Sequence, residues 1–250
     1  MISLFRKIRQ TLLQQNKLSK YLLYALGEIV LVVIGIMIAV AINNSNEEKK
    51  LKQLEIKYLS EIKNNLSSDI ADIDFNINFN ASKLRSNHVV LQYLNGEVHT
   101  IDSLDFHLSN LPFSTRTLVN SSGYENLKSK GLEIISNDAL RIKITTLYEF
   151  TIDNAVDFET KDDHPFQYDI FIPAVFNVLG LENMKMNNNS PSGSAKLIDS
   201  RDTATNNMLK NAINTNILIR TLMLDTYRNL KQEVTETIQQ IEAELLALEN

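Results

Sequence analysis

Residues 21 to 42 read YLLYALGEIVLVVIGIMIAVAI, 22 consecutive positions with a single charge, Glu28. At 1.5 Å of rise per residue such a helix spans about 33 Å, close to the hydrocarbon thickness of a bilayer. A helix this long in a soluble core keeps a polar face, and this one has none. A cleavable signal peptide ending at Ala39-Val40-Ala41 is the competing reading. The apolar stretch exceeds a usual signal core and about 20 residues precede it, which favours an uncleaved anchor. Tyr21 and Tyr24 suit one membrane interface, and Asn43-Asn44-Ser45-Asn46 suits the other.

Charge sets the orientation. The chain carries 30 acidic and 25 basic residues, yet the first 20 positions hold five bases, Arg6, Lys7, Arg9, Lys17 and Lys20, and no acid. The remaining 230 residues therefore carry a net charge of −10. Lys17 and Lys20 abut the span, whereas the first base beyond it, Lys49, stands beside Glu47 and Glu48. This asymmetry places the N-terminus in the cytoplasm and residues 43 to 250 on the far side. Leu4, Phe5, Ile8, Leu12 and Leu13 recur at helical spacing among those bases, as in a short basic amphipathic helix. Such a helix lies on anionic headgroups or serves only as an orientation signal.

From Leu51 apolar residues recur every three or four positions through Leu54, Tyr58, Ile62, Leu66, Ile70, Ile73 and Ile77 to Ala81, Leu84, Leu91 and Leu94, with no Gly or Pro before Gly96. The pattern predicts a long helix over about 47 to 95, open to continuity with the span. Residues 203 to 248 also lack Gly and Pro. A heptad frame there places Ile213, Ile217, Leu224, Tyr227, Val234, Ile238, Ile241, Leu245 and Leu248 at core positions, with Arg220 and Lys231 as exceptions. Both stripes are too narrow to be stable alone, so the two helices are expected to pack antiparallel. The fold expected is all-α: a transmembrane helix, then an elongated extracytoplasmic helical bundle. Seven Gly and four Pro in 250 residues leave little material for the turns of a sandwich or barrel.

Shorter elements fill the middle. Thr100 reads as an N-cap for a helix near 101 to 110, and Asn120 or Ser121 as the cap for Gly123 to Lys130, with Gly131 as its stop. Ser136 or Asn137 opens a helix reaching about Phe158. The aromatic stretch His164 to Leu179, with Pro165 and Pro173, reads as a kinked core helix, an extended cover or a partner-facing patch. Met184 to Ser194 reads as a mobile polar loop.

Chemistry-bearing motifs are sparse. With no Cys, disulfides and thiolate zinc sites are excluded. His88, His99, His107 and His164 lack a metal-ligand spacing, and Asp69, Asp72 and Asp74 read as a solvated helix face. No phosphate loop or nucleophile elbow is present, and no cofactor is expected. The net charge of −10 beyond the span disfavours nucleic acid. Within the span, Glu28 is costly to bury and points to a helix contact or a proton path, while Gly27, Gly35 and Ala39 would permit close helix approach.

Three stretches resemble one family: KIRQ at 7 to 10, NKLSKYLLYALGEIVLVVIGIMIAVAIN at 16 to 43, and SSGYENLKSKGLEIISNDALRIKI at 121 to 144. Together they look like an uncharacterised family of single-span membrane proteins common in Bacteroidota. In that family a Tyr-Glu-x-Leu-Lys-Ser-x-Gly pattern, here Tyr124 to Gly131, recurs before an Ile-Ser-Asn-Asp helix start, here Ile135 to Asp138. The resemblance covers the anchor through about residue 150. It implies a membrane location, read here as a bacterial inner membrane with a periplasmic domain, and implies no activity. Read from its residues, the motif is a packing corner or a recognition site formed by Tyr124, Glu125 and Lys128.

The function expected is therefore that of a membrane-anchored interaction or scaffold protein without catalysis. It would act through a protein partner or through its own oligomer, built by the span and the long helices. The alternative is a subunit of an ion-driven or transport complex in which Glu28 is a working carboxylate.

Overall fold

The structure is a computed structural model that describes residues 18–98, 103–187, 190–197 and 203–249. The basic segment with Arg6, Lys7, Arg9 and Lys17, the Thr100 cap and His99 lie outside the described residues. The fold is all-α apart from one small two-stranded sheet, with a long apolar helix toward the N-terminus and a second long helix toward the C-terminus. Two compact units divide the chain, Met1–Leu54 and Glu55–Asn250.

Helix α1 runs Leu18–Leu94. In the first unit its apolar residues are bare on every side: Leu23 is 80% and Leu31 72% exposed, and Ile34, Met37, Ile38 and Ile42 are exposed as well. This part of α1 is long and apolar enough to cross a membrane. The Asn-rich run at 43 to 46, expected at an interface, continues the helix without a break.

In the second unit, α1 from Glu55 packs antiparallel to the C-terminal helix. Four cross-links establish the direction: Lys63 with Glu242 at 3.7 Å, Asp74 with Lys231 at 2.7 Å, Asn80 with Arg220 at 2.6 Å, and Asn87 with Asn216 at 3.2 Å. Gly96, at φ +74°, ends α1, and Asn95 and Gly96 turn their N–H groups back to Leu91 and Tyr93. Then come α2 (Leu104–Asn110), α3 (Ser122–Lys130) and α4 (Asp138–Thr146). Gly131 stops α3 at φ +117°, and Asn137 caps α4 by accepting the Leu140 N–H at 3.2 Å. Of the two cap candidates Ser121 makes no side-chain cap bond, whereas the Asn120 side chain accepts the N–H of Ser122, the first residue of α3, at 3.1 Å.

The helix expected to finish near Phe158 continues instead to Phe176. Three π-helical stretches, Leu147–Ile152, Phe158–Asp163 and Phe166–Phe171, alternate with α5 (Asp153–Asp157) and α6 (Ile172–Phe176). Pro165 and Pro173, which read as interruptions, both lie inside this continuous helix, next to its junctions between π-helical and α-helical stretches. Of the readings for 164 to 179 the core helix is the one found, with Phe171, Ala174, Val175 and Val178 buried.

In place of the loop expected over 184 to 194, β1 (Leu179–Asn187) and β2 (Ser190–Leu197) pair antiparallel. Leu179 faces Leu197 and Leu181 faces Ala195 in the register. These alternate positions put one apolar face on the core, and the polar composition between them hid it. Helix α7 (Thr203–Glu249) completes the fold.

Two apolar clusters hold the second unit. The first joins Tyr58, Leu59, Ile62, Leu66 and Ile73 to Tyr124, Leu127, Ile144, Tyr227, Val234 and Ile241. The second joins Val90 to Leu108, Leu111, Phe171, Val175 and Ile213. Along α1 the buried positions between them are Asn76, Asn80, Lys83, Ser86 and Asn87, so the stripe expected to continue through Ala81 and Leu84 is replaced by a polar one. Arg220 explains the change. Fully buried, it pairs with Asp163 and donates to Asn80, while Gln167 bridges Asp163, Asn216 and Lys83. Lys83 also donates to the Phe113 carbonyl. Burial, with Arg220 nearby, holds the Lys83 ammonium well below its usual range, and burial lowers Arg220 to about 10.

Candidate functional site

Acidic residues of α1 tie down the chain segment that forms the first wall of a cleft. Asp72 accepts the Leu118 N–H at 2.8 Å, and both Asp69 oxygens accept the Asn120 N–H at 3.1 and 3.2 Å. From the other side, Glu159 accepts the Thr117 N–H at 3.1 and 3.2 Å and the Tyr227 hydroxyl at 2.6 Å. These carboxylates satisfy backbone donors that the non-helical segment 113–121 cannot satisfy for itself. Asp69 and Asp72, expected on a solvated face, thus hold a chain segment in place; the third member, Asp74, pairs with Lys231. Burial raises Asp69 to about 6, against the lowering effect of the Asn120 bond.

Helix α3 and the first π-helical stretch supply the other walls. The cleft, about 610 Å³, is lined by Leu118, Val119, Tyr124, Glu125, Lys128 and, across from them, Tyr148, Glu149, Ile152, Asp153 and Val156. Its volume lies in the range of ligand sites. Tyr124 and Tyr148 stack with centroids 4.5 Å apart and planes 3° from parallel. The Tyr124 hydroxyl donates to Glu149 at 2.7 Å, and the Lys128 ammonium meets the same Glu149 oxygen at 2.6 Å while lying 5.8 Å from the Tyr124 centroid. The Lys128 bond holds Glu149 below the usual carboxylate range and Glu149 raises Lys128 in turn, helped by Glu125 and Asp153. Desolvation and Glu149 raise Tyr124, which stays protonated.

Gly123 explains how closely α3 lies on α1. A Cβ there would stand 3.0 Å from Asn65 Oδ1 and 3.1 Å from the Ile62 backbone nitrogen. The Tyr148 hydroxyl is buried and has no hydrogen-bond partner among the described residues.

The structure therefore brings Tyr124, Glu125 and Lys128 together on one cleft. Tyr148, Glu149, Asp153 and Leu118 join them unannounced by the sequence, because a widened helical turn and a chain crossing over α1 bring them there. The span residues fall elsewhere. A Cβ at Gly27 or Gly35 would meet nothing within 4 Å, Ala39 is exposed, and Glu28 is half-exposed on the same apolar stretch. Lys20 lies within α1. His107 shares a hydrogen bond with Ser86 at 3.0 Å, and among the described residues no group of His, Asp and Glu is arranged to hold a metal.

The profile of a family of unknown function, DUF6090, matches residues 28–163, a stretch that takes in most of the apolar span and every residue lining the cleft. No curated protein and no solved structure matches the chain. The match covers more than half of the chain, which belongs to that family.

Proposed function

We propose that this member of the DUF6090 family is a membrane-anchored helical protein of the cell envelope that works by holding a protein partner and performs no catalysis. The observation that carries the reading is the cleft between α3 and the π-helical turn at Leu147–Ile152. Its reactive groups already engage one another, the Lys128 ammonium and the Tyr124 hydroxyl both on Glu149, while Leu118 and Val119 offer apolar surface. That arrangement suits binding. Anchoring is supported by the bare apolar surface over 22 to 42, which water would not tolerate and lipid would cover. Lys17 and Lys20 support an N-terminus in the cytoplasm and a periplasmic second unit.

The test is purification of the full chain from its native membrane in mild detergent after brief crosslinking. A protein recovered in constant ratio with the chain is the expected result, and a lone monomer at native expression overturns the reading. Glu28→Gln is expected to leave that recovery unchanged. Its loss would favour the ion-coupled alternative instead.

A further inference from the structure

We infer that the cleft takes a basic segment of the partner, with an arginine side chain between Glu125 and Asp153 and its aliphatic neighbours on Leu118 and Val119. This inference rests on the partner-binding reading and adds the site and the chemistry it recognises.

Charge selects the sign of the occupant. The lining carries three carboxylates, Glu125, Glu149 and Asp153, against one ammonium, Lys128, whose charge Glu149 already offsets. Glu125 and Asp153 are exposed, and neither has an ion-pair partner among the described residues. An anion would meet a net negative wall, whereas a cation would find two open acceptors. Size and surface exclude a bare ion as the natural fit. The cleft is about 610 Å³, and Leu118 is 61% exposed beside Val119, Ile152 and Val156. A metal ion leaves that apolar wall in water, while a peptide covers it. Arginine suits the pair of carboxylates better than lysine, because its planar fork offers paired donors and its charge is weakly hydrated.

Lys128 then has a definite role. Its ammonium occupies Glu149 at rest and competes with the incoming guanidinium for that carboxylate. Removing it should strengthen binding, an effect that no structural role for the residue would produce.

The experiment uses the full chain in detergent micelles and a set of fluorescent seven-residue peptides, read by anisotropy. The central residue is Arg, Lys, Gln or Glu between leucines and valines. Arginine peptides are expected to bind best, with affinity falling as salt rises from about 50 to about 300 mM, on the scale at which screening acts. Glu125→Gln with Asp153→Asn is expected to weaken binding about tenfold, and Lys128→Gln to tighten it about threefold, as expected for charge pairs at an interface. All three residues are exposed, and unchanged circular dichroism checks that the variants fold. No preference for Arg over Glu, no effect of the double variant, or equal competition by spermine overturns the inference. A partner that still co-purifies with the double variant would refute this site and leave the partner-binding reading standing.

Discussion

A guanidinium at a heptad core position reads as an error in the pattern, and the structure shows what it is for. Arg220 and Asp163 are both fully shielded from water, and Asn80 and Gln167 add hydrogen bonds to the pair while Arg220 Nε and Asp163 Oδ2 have no partner among the described residues. Removing one partner leaves a buried charge uncompensated. Arg220→Met is therefore expected to cost about 3–5 kcal/mol, and Arg220→Met with Asp163→Leu less than the sum of the two single changes. Urea unfolding of the detergent-solubilised chain measures both. Asp69 gives a second residue-scale expectation. Its folded value of about 6 lies above its ordinary 3.8, so the stability it contributes is full below that ordinary value and is lost as pH rises through 6. The thermal midpoint of the wild type should fall relative to Asp69→Asn between pH 4 and 6, since the amide keeps an acceptor for the Asn120 N–H. At this scale the sequence marked Arg220 as exceptional, but its partner on a distant π-helical turn is a fact of tertiary structure that no local pattern carries.

At the scale of elements, legibility followed periodicity. Helix α7, free of Gly and Pro, runs Thr203–Glu249 against the 203 to 248 expected, Asn137 starts α4 with its side-chain cap, and Gly131 stops α3 with a positive φ. The strand pair was hidden because the polar residues at its turn dominate the composition, while the positions that seat it, Leu179, Leu181, Ala195 and Leu197, lie at its far ends. The π-helical stretches were invisible for another reason: an inserted residue shifts the face of everything after it, and no residue type announces it. Gly123 sits at the tightest crossing. Gly123→Ala would press a methyl group against the α1 backbone near Ile62, and is expected to destabilise the second unit by about 1–3 kcal/mol. Ser122→Ala, one residue away and exposed, should cost far less by the same unfolding assay.

For the molecule as a whole, the apolar stretch of α1 and the charge imbalance around it are the properties averages conceal. A net charge of −5 combines five bases before the span with a strongly acidic remainder. Because the chain has no cysteine, single Cys variants report topology directly. Cysteine at Gln10 should resist a membrane-impermeant maleimide in intact inner-membrane spheroplasts, cysteine at Glu249 should react, and the protein should stay with the membrane through an alkaline carbonate wash. Reversed labelling would overturn the orientation.

The antiparallel pairing of α1 with α7 also sets an order of events during synthesis. Ile62 and Leu66 share a cluster with Val234 and Ile241, so part of their cover is encoded more than 150 residues later. At about 5–20 residues per second, a ribosome takes roughly ten to thirty seconds to make the intervening chain. The apolar stretch of α1 emerges first, while the stripe behind it waits uncovered for the last helix. On the membrane anchoring proposed above, the nascent chain has a window in which its anchor is in place and its core is open, and a chaperone would find its substrate there.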